Sequence, residues 1–180
     1  MAGQAKVLTQ DEIDALLYAT TDPRDRALIG VMLFCGLRVA EACALSRGDI
    51  KGGMLVLPKS KAKGKLASRS IPIHPRLMLF LQQYPVEGEY LFPGRHGAGH
   101  LHPSSASQVI QECLASAAGL DGLGITTHSF RRTALTMLSN AGVPLSVIQQ
   151  VSGHKSLASL QRYLHVTPAQ VQAAVLAAFG

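Results

Sequence analysis

The sequence predicts an α+β domain, mainly helical, with one small antiparallel sheet. Three observations carry that expectation. Over most of the chain, apolar residues recur at the three- and four-residue spacing of a helix that buries one face. In one place "MLVLP" and "SRSIPI" flank the loop "KSKAKGKLA", which reads as two strands and their connection. The length, 180 residues, suits one well-packed domain and leaves little room for a second.

From the N-terminus, Thr9 and Glu12 form a T-x-x-E capping box, and Ile13, Leu16 and Leu17 follow at helical spacing. Pro23 suits the first turn of a second helix, with Leu28, Val31, Met32 and Cys35 as its apolar stripe and Gly36 as its stop. A short helix from Val39 to Leu45 precedes the strands, and a helix from Pro75 to Tyr84 follows them. Residues 85–103, rich in Gly, Pro and His, read as loop. Ser104 or Ser105 caps a helix that ends at Gly119, and Thr127 caps another that ends near Ala141 with Gly142 as its stop. "PLSVIQQV", "SLASLQRYL" and "PAQVQAAVLAAF" are three more short helices. In the last, Thr167 can cap and Pro168 can open the helix, and Val171, Ala174, Val175 and Ala178 form an apolar stripe with Phe179 near its edge. About three turns of helix do not stand alone in water, so that stripe has to dock somewhere.

Composition narrows the function. Hydrophobic residues make up 47% and charged residues 16%, an ordinary globular balance. No apolar run reaches the roughly 18 residues of a membrane span. The N-terminal "MAGQAKVLTQDE" has no apolar signal-peptide core, and Cys35, Cys43 and Cys113 read as buried thiols, so a cytoplasmic protein is expected. The net charge is +6, and it is segregated: residues 50–86 hold seven Lys/Arg and residues 122–180 hold four, with no Asp or Glu in either stretch. Such segregation points to an anionic partner, most simply nucleic acid.

Four short stretches could carry chemistry. In "THSFRRT", His128 and Arg131 are three apart on a helix and are expected to point out of the core together, with Phe130, Ala134, Met137 and Leu138 toward it. In "CGLRVAEACAL", Arg38 stands where helix N–H groups are free to meet an anion, and Glu41 could orient it or simply pair with it on the surface. In "KSKAKGK", Lys59, Lys61, Lys63 and Lys65 alternate, so an extended backbone would put all four on one side. In "GHKSLASLQRYLHV", Tyr163 is flanked by Arg162, His154 and His165 without an acid nearby. A free tyrosine has a pKa near 10, so about one in a thousand is phenolate at pH 7, and a tyrosine nucleophile needs such surroundings. A phosphodiester under attack needs donors on its non-bridging oxygens and a proton for its leaving oxygen. The inventory fits metal-free phosphoryl transfer through a phosphotyrosine. His96, His100 and His102 could suggest zinc, but no Cys or acid accompanies them, and no metal is expected.

The ordered set of G-L-R…E, lysine hairpin, H-x-x-R, G-H and a tyrosine nine residues after that histidine resembles the tyrosine recombinase (phage integrase) catalytic domain, from about Thr9 to Val166. The resemblance implies that fold over residues 1–180, with the usual N-terminal DNA-binding domain of the family absent. It implies that Arg38 and Arg131 clamp the scissile phosphate and that Lys61 is the general acid, with Lys59 and Lys63 as alternatives because the hairpin is longer than usual. His128 would be the general base, His154 would bond the phosphate and help position Tyr163, and Tyr163 would attack. Glu41 would support Arg38. Lys59, Lys63, Lys65, Arg132, Lys155 and Arg162 are expected to contact DNA. The partners implied are double-stranded DNA and further copies of the chain assembled on it as a tetramer, each tail docking on a neighbour. No cofactor, membrane or small-molecule substrate is implied. The threonine common before the tyrosine is replaced within "LASLQ". Two other readings remain: a non-catalytic regulator, since "LSNAGVPLSVIQQVSGH" reads as a helix-turn-helix, and a type IB topoisomerase with the same chemistry.

Overall fold

A computed structural model describes residues 5–61, 68–161 and 168–179. The expected class is observed: an α+β domain, mainly helical, with one three-stranded antiparallel sheet. Helices α1 (Gln10–Ala19), α2 (Pro23–Phe34) and α3 (Val39–Cys43) lead into strands β1 (Ile50–Lys51), β2 (Met54–Leu57) and β3 (Arg69–Pro72). Then follow α4 (Pro75–Gln83), α5 (Pro103–Ser116), α6 (Thr127–Asn140), α7 (Leu145–Ser152), α8 (Leu157–Gln161) and α9 (Pro168–Phe179).

Local signals account for several of the boundaries. The Thr9–Glu12 capping box closes in both directions at the start of α1. Asp22 caps α2 through the N–H groups of Arg24 and Asp25, with Pro23 in the first turn. Beyond the end of α2, Gly36 takes φ +61°, where a Cβ would be strained. Other boundaries differ from the pattern. His102, not a serine, caps α5, its Nδ1 accepting from the Ser104 N–H, and α5 ends at Ser116. Thr126, one residue earlier than expected, precedes α6.

α2 is the central element. The seven consecutive residues Ala27 to Leu33 are all buried, so the helix is covered all round rather than along one stripe. It packs on α3, α4, α5 and α6. The loop between α4 and α5 is not a surface excursion. Leu91 and Phe92 enter the core, the Ser46–Tyr90 bridge ties the loop to the segment before β1, and the Pro93–His100 bridge closes the loop on itself.

The sheet runs β1-β2-β3, with Leu55 paired to Ile71 and Leu57 to Arg69. On β3 residues alternate in and out, so Arg69 shares the inward face with Ile71. α7 packs against β3, and a second small core of Leu135, Ile148 and Leu160 joins α6, α7 and α8. This second core is what holds α8, the element that immediately precedes Arg162 and Tyr163. Along α9, residues 171–177 are exposed, with Val175 at 53% and Leu176 at 63%.

Leu160 is fully buried, so Leu160→Ala is expected to cost about 2–5 kcal/mol, as loss of a core leucine does. Hydrogen exchange at the α8 amides should accelerate accordingly. Unchanged protection of residues 157–161 would mean that something other than this core holds α8.

Candidate active site

The site begins at the turn after α2. Arg38 sits at the start of α3, and the Glu41 side chain reaches back to its backbone N–H at 3.0 Å and to its Nη1 at 3.0 Å. The same carboxylate accepts from Arg69 Nη2 at 2.6 Å. Glu41 is only 1% exposed. Burial by itself would raise its pKa. The charge of Arg69, the Arg38 N–H and the charge of Arg38 outweigh burial and hold the pKa below the ordinary value of 4.5. This is a buried carboxylate held charged between two guanidinium groups, not a surface pair. Arg38 stays 27% exposed at its side chain, and a single nitrogen of its guanidinium is spent on Glu41.

Arg131 corrects an expectation. It does not point outward with His128: His128 is exposed, whereas Arg131 is 3% exposed. Met137, expected toward the core, is 45% exposed. The cause lies in two helix ends. Arg131 Nη1 donates to Gly36 O at 2.7 Å, just past the end of α2, and Nη2 donates to Ser152 O at 2.7 Å, at the end of α7. Carbonyls at helix C-termini lack intrahelical partners and carry the negative end of the dipole, so they compensate a buried guanidinium. Ser152 O also accepts from Arg69 Nη1 at 2.5 Å.

His154 follows directly. Gly153 ends α7 with φ +63°, turning the chain so that His154 Nδ1 lies 2.7 Å from Ser152 Oγ. Both ring nitrogens stand 3.5 Å from Arg131 Nη2. Burial first, then the charges of Arg131, Arg38 and Arg69, push the His154 pKa down to about 4, with Glu41 opposing. The three arginines and the histidine thus act on one another across segments far apart in sequence. Arg69 and Ser152 were not picked out from the sequence. A basic residue on the inward face of a strand, in line with Ile71 and Ile73, was the available signal for Arg69.

The hairpin lysines behave differently from an extended finger. Residues 59–61 form a turn, with Lys61 N–H bonded to Pro58 O at 3.0 Å. Lys61 Nζ is paired with Asp49 at 2.5 Å and bonded to Ser46 Oγ at 2.9 Å, and Lys59 is exposed. Lys155 is exposed, and Arg132 donates to Ala5 O at 2.7 Å. Lys63, Lys65, Arg162 and Tyr163 lie outside the described residues. His96, His100 and His102 do not converge: His100 Nδ1 contacts Leu101 O and His102 caps α5. Among the described residues no three His, Cys, Asp or Glu side chains gather at one point.

The fold is that of tyrosine recombinase catalytic domains. The XerA recombinase crystal structure matches it with a TM-score of 0.80 over 100% of this chain and 67% of that one, at 21% identity. The Tn1549 transposon integrase in complex with circular intermediate DNA matches with a TM-score of 0.79 over 97% of this chain and 67% of that one, at 19% identity. The chain belongs to the phage integrase family, whose profile matches residues 6–170. Tyrosine recombinase XerD of Pseudomonas putida is 28% identical over 184 residues, covering 93% of this chain and 59% of the relative. The chain spans a little over half the length of the curated relatives it matches.

His154 favours its neutral form in the folded protein. Folding therefore carries no penalty from this ring above its ordinary pKa of 6.5, and a growing one as pH falls toward about 4. NMR titration of the free protein should place the His154 midpoint well below 6.5. A midpoint at the ordinary value would contradict the cluster's proximity.

Proposed function

We propose that the chain is the catalytic domain of a site-specific DNA recombinase that acts in the cytoplasm, cutting and rejoining strands through Tyr163. The observation that carries this reading is the convergence of Arg38, Arg131 and His154 on one frame of Glu41, Arg69 and Ser152. Such donors suit a phosphodiester. Arg38 and Arg131 neutralise its non-bridging oxygens, where charge builds as the phosphorus becomes five-coordinate. Family membership and the likeness to a DNA-bound integrase support duplex DNA as the substrate. They also favour catalysis over a regulatory helix-turn-helix, since α7 here ends on the arginine cluster.

In the reaction, Tyr163 Oη forms a bond to phosphorus, the P–O5′ bond breaks, and a 3′-phosphotyrosyl link remains. His128 takes the tyrosine proton. Lys61 gives a proton to the departing 5′-oxygen, with Lys59 and Lys63 as the other candidates. Lys61 is paired with Asp49 in the free chain, so this role requires it to exchange Asp49 for DNA. A 5′-hydroxyl of a partner strand then attacks the link and regenerates the tyrosine. Entry of a phosphate also supplies the negative charge that His154 lacks, raising its affinity for a proton and letting it donate to the phosphate. Lys59, Lys63, Lys65, Arg132, Lys155 and Arg162 hold the surrounding backbone.

The assembly is proposed to be a tetramer on DNA. α9 is exposed along residues 171–177, and an apolar cleft of about 290 Å³ lined by Ile13, Leu33, Phe34, Ala134, Met137 and Leu138 is present elsewhere on the surface. The tail of a neighbouring copy fits such a cleft.

Tyr163→Phe is expected to abolish covalent attachment to a pool of nicked duplexes of random sequence, with binding retained. A protein–DNA adduct surviving on a denaturing gel in the variant would refute the nucleophile assignment. Deleting residues 168–180 should leave the melting temperature of the free chain nearly unchanged and weaken cooperative assembly on DNA. A large loss of thermal stability with assembly intact would place the helix in its own core.

A further inference from the structure

We propose that Arg69 is a positioning residue that holds Arg38 and Arg131 in register with each other. This rests on the reading of those two as the phosphate clamp.

The geometry is a fork. One terminal nitrogen of Arg69 donates to Glu41 Oε2, which also accepts from the Arg38 backbone N–H, while Oε1 of the same carboxylate accepts from Arg38 Nη1. The other meets Ser152 O, the carbonyl that also receives Arg131. Arg38 precedes α3, whereas Arg131 lies on α6, so their anchors come from separate parts of the chain. Arg69 ties their anchors together through one planar, rigid group.

Two further observations separate this from an ordinary buried ion pair. Arg69 is 8% exposed, and its Nε–H is buried without a partner among the described residues. Leaving a buried donor unpaired is unfavourable, and a well-packed apolar side chain often stabilises a fold at least as well as a buried ion pair. Stability is therefore a poor reason for an arginine here, and placing two acceptors a fixed distance apart is a better one. The chain also makes room for it. A Cβ at position 153 would collide with the Arg69 guanidinium, and the residue there is glycine. The guanidinium of Arg69 thus fills the space beside the turn that delivers His154.

Arg69 does not touch the phosphate in this arrangement. Its effect is on the alignment of groups that do, and a displacement on the order of 1 Å in such groups costs about a hundredfold in rate. Lysine cannot replace it, since one ammonium does not reproduce the planar fork.

The test compares Arg69→Lys and Arg69→Met with the unaltered chain in two measurements. In the first, NMR of arginine side chains follows Arg38 and Arg131 in the absence of DNA. Both variants should shift these signals toward free-arginine positions while the amides of α2 and α6 keep their native shifts. In the second, single-turnover adduct formation at saturating DNA, with the random-sequence nicked duplex pool, should slow about a hundredfold in both variants. The midpoint of DNA binding should move far less. Should Arg69→Met fail to fold, Arg69→Lys, which keeps the buried charge, decides both measurements. Unmoved Arg38 and Arg131 signals, or an Arg69→Lys variant that reacts at the unaltered rate, would overturn the proposal. If the unaltered chain itself forms no adduct, the functional reading fails, and the NMR measurement still decides whether Arg69 sets the register.

Discussion

A buried carboxylate is the interaction on which the site depends. Glu41 lies among Arg38 and Arg69 with almost no access to water, and Arg131 is close enough to share a carbonyl with Arg69. Neutral, it would leave two guanidinium groups without their counter-charge. Charged, it still balances only one of three, so the cluster keeps an excess of positive charge. His154 yields to that excess by staying neutral. The cluster thus carries unbalanced positive charge in a largely buried setting, with Arg38 as the member still open to solvent. That is the electrostatic condition for strong phosphate binding and for stabilising the added charge of a transition state.

The helical layer explains why that charge is placed with precision. α2 is buried on every side, so its end cannot shift without disturbing α3, α4, α5 and α6. α7 is fixed by its own core with α6 and α8, and by β3. α7 presents the carbonyl of its last residue to Arg131, and the turn just past α2 presents that of Gly36. The backbone therefore does the aiming, and the side chain follows from where two helix ends meet. Lys61 stands apart from this rigidity. It belongs to a turn in the hairpin and is held by Asp49 and Ser46.

Much of the frame was legible in the sequence because its signals are local. The Thr9–Glu12 box, Pro23 and Gly36 report on their immediate neighbours, whereas the Asp22 cap emerges only in the structure. β1 escaped because two residues carry no periodicity. Residues 91 and 92 escaped because a loop rich in Gly, Pro and His gives no hint that its centre is buried. Arg131 was placed on the wrong face because its direction is set by carbonyls 95 and 21 residues away. Arg69 counts in the sequence only as one of the seven cations of residues 50–86, although its place two residues before Ile71 on a strand puts both on one face. The roles of Arg38, His154 and Tyr163 came from resemblance to a family, and spacing by itself would not have separated them from surface residues. The convergence of Arg38, Arg131 and His154 is a structural fact, whereas Tyr163 lies outside the described residues.

The Gly153–His154 pair reads in a sequence as one unit. In three dimensions its two members answer to different masters. His154 faces the arginine cluster, while Gly153 is constrained twice, by its left-handed torsion and by the guanidinium of Arg69. Asparagine tolerates the torsion in many turns, and here it would also have to displace the Arg69 guanidinium. The two positions are therefore coupled: a side chain at 153 requires the Arg69 guanidinium to move, and a change at 69 relieves that collision while the left-handed torsion remains. The local geometry thus couples residue 153 to residue 69 across the turn that carries His154.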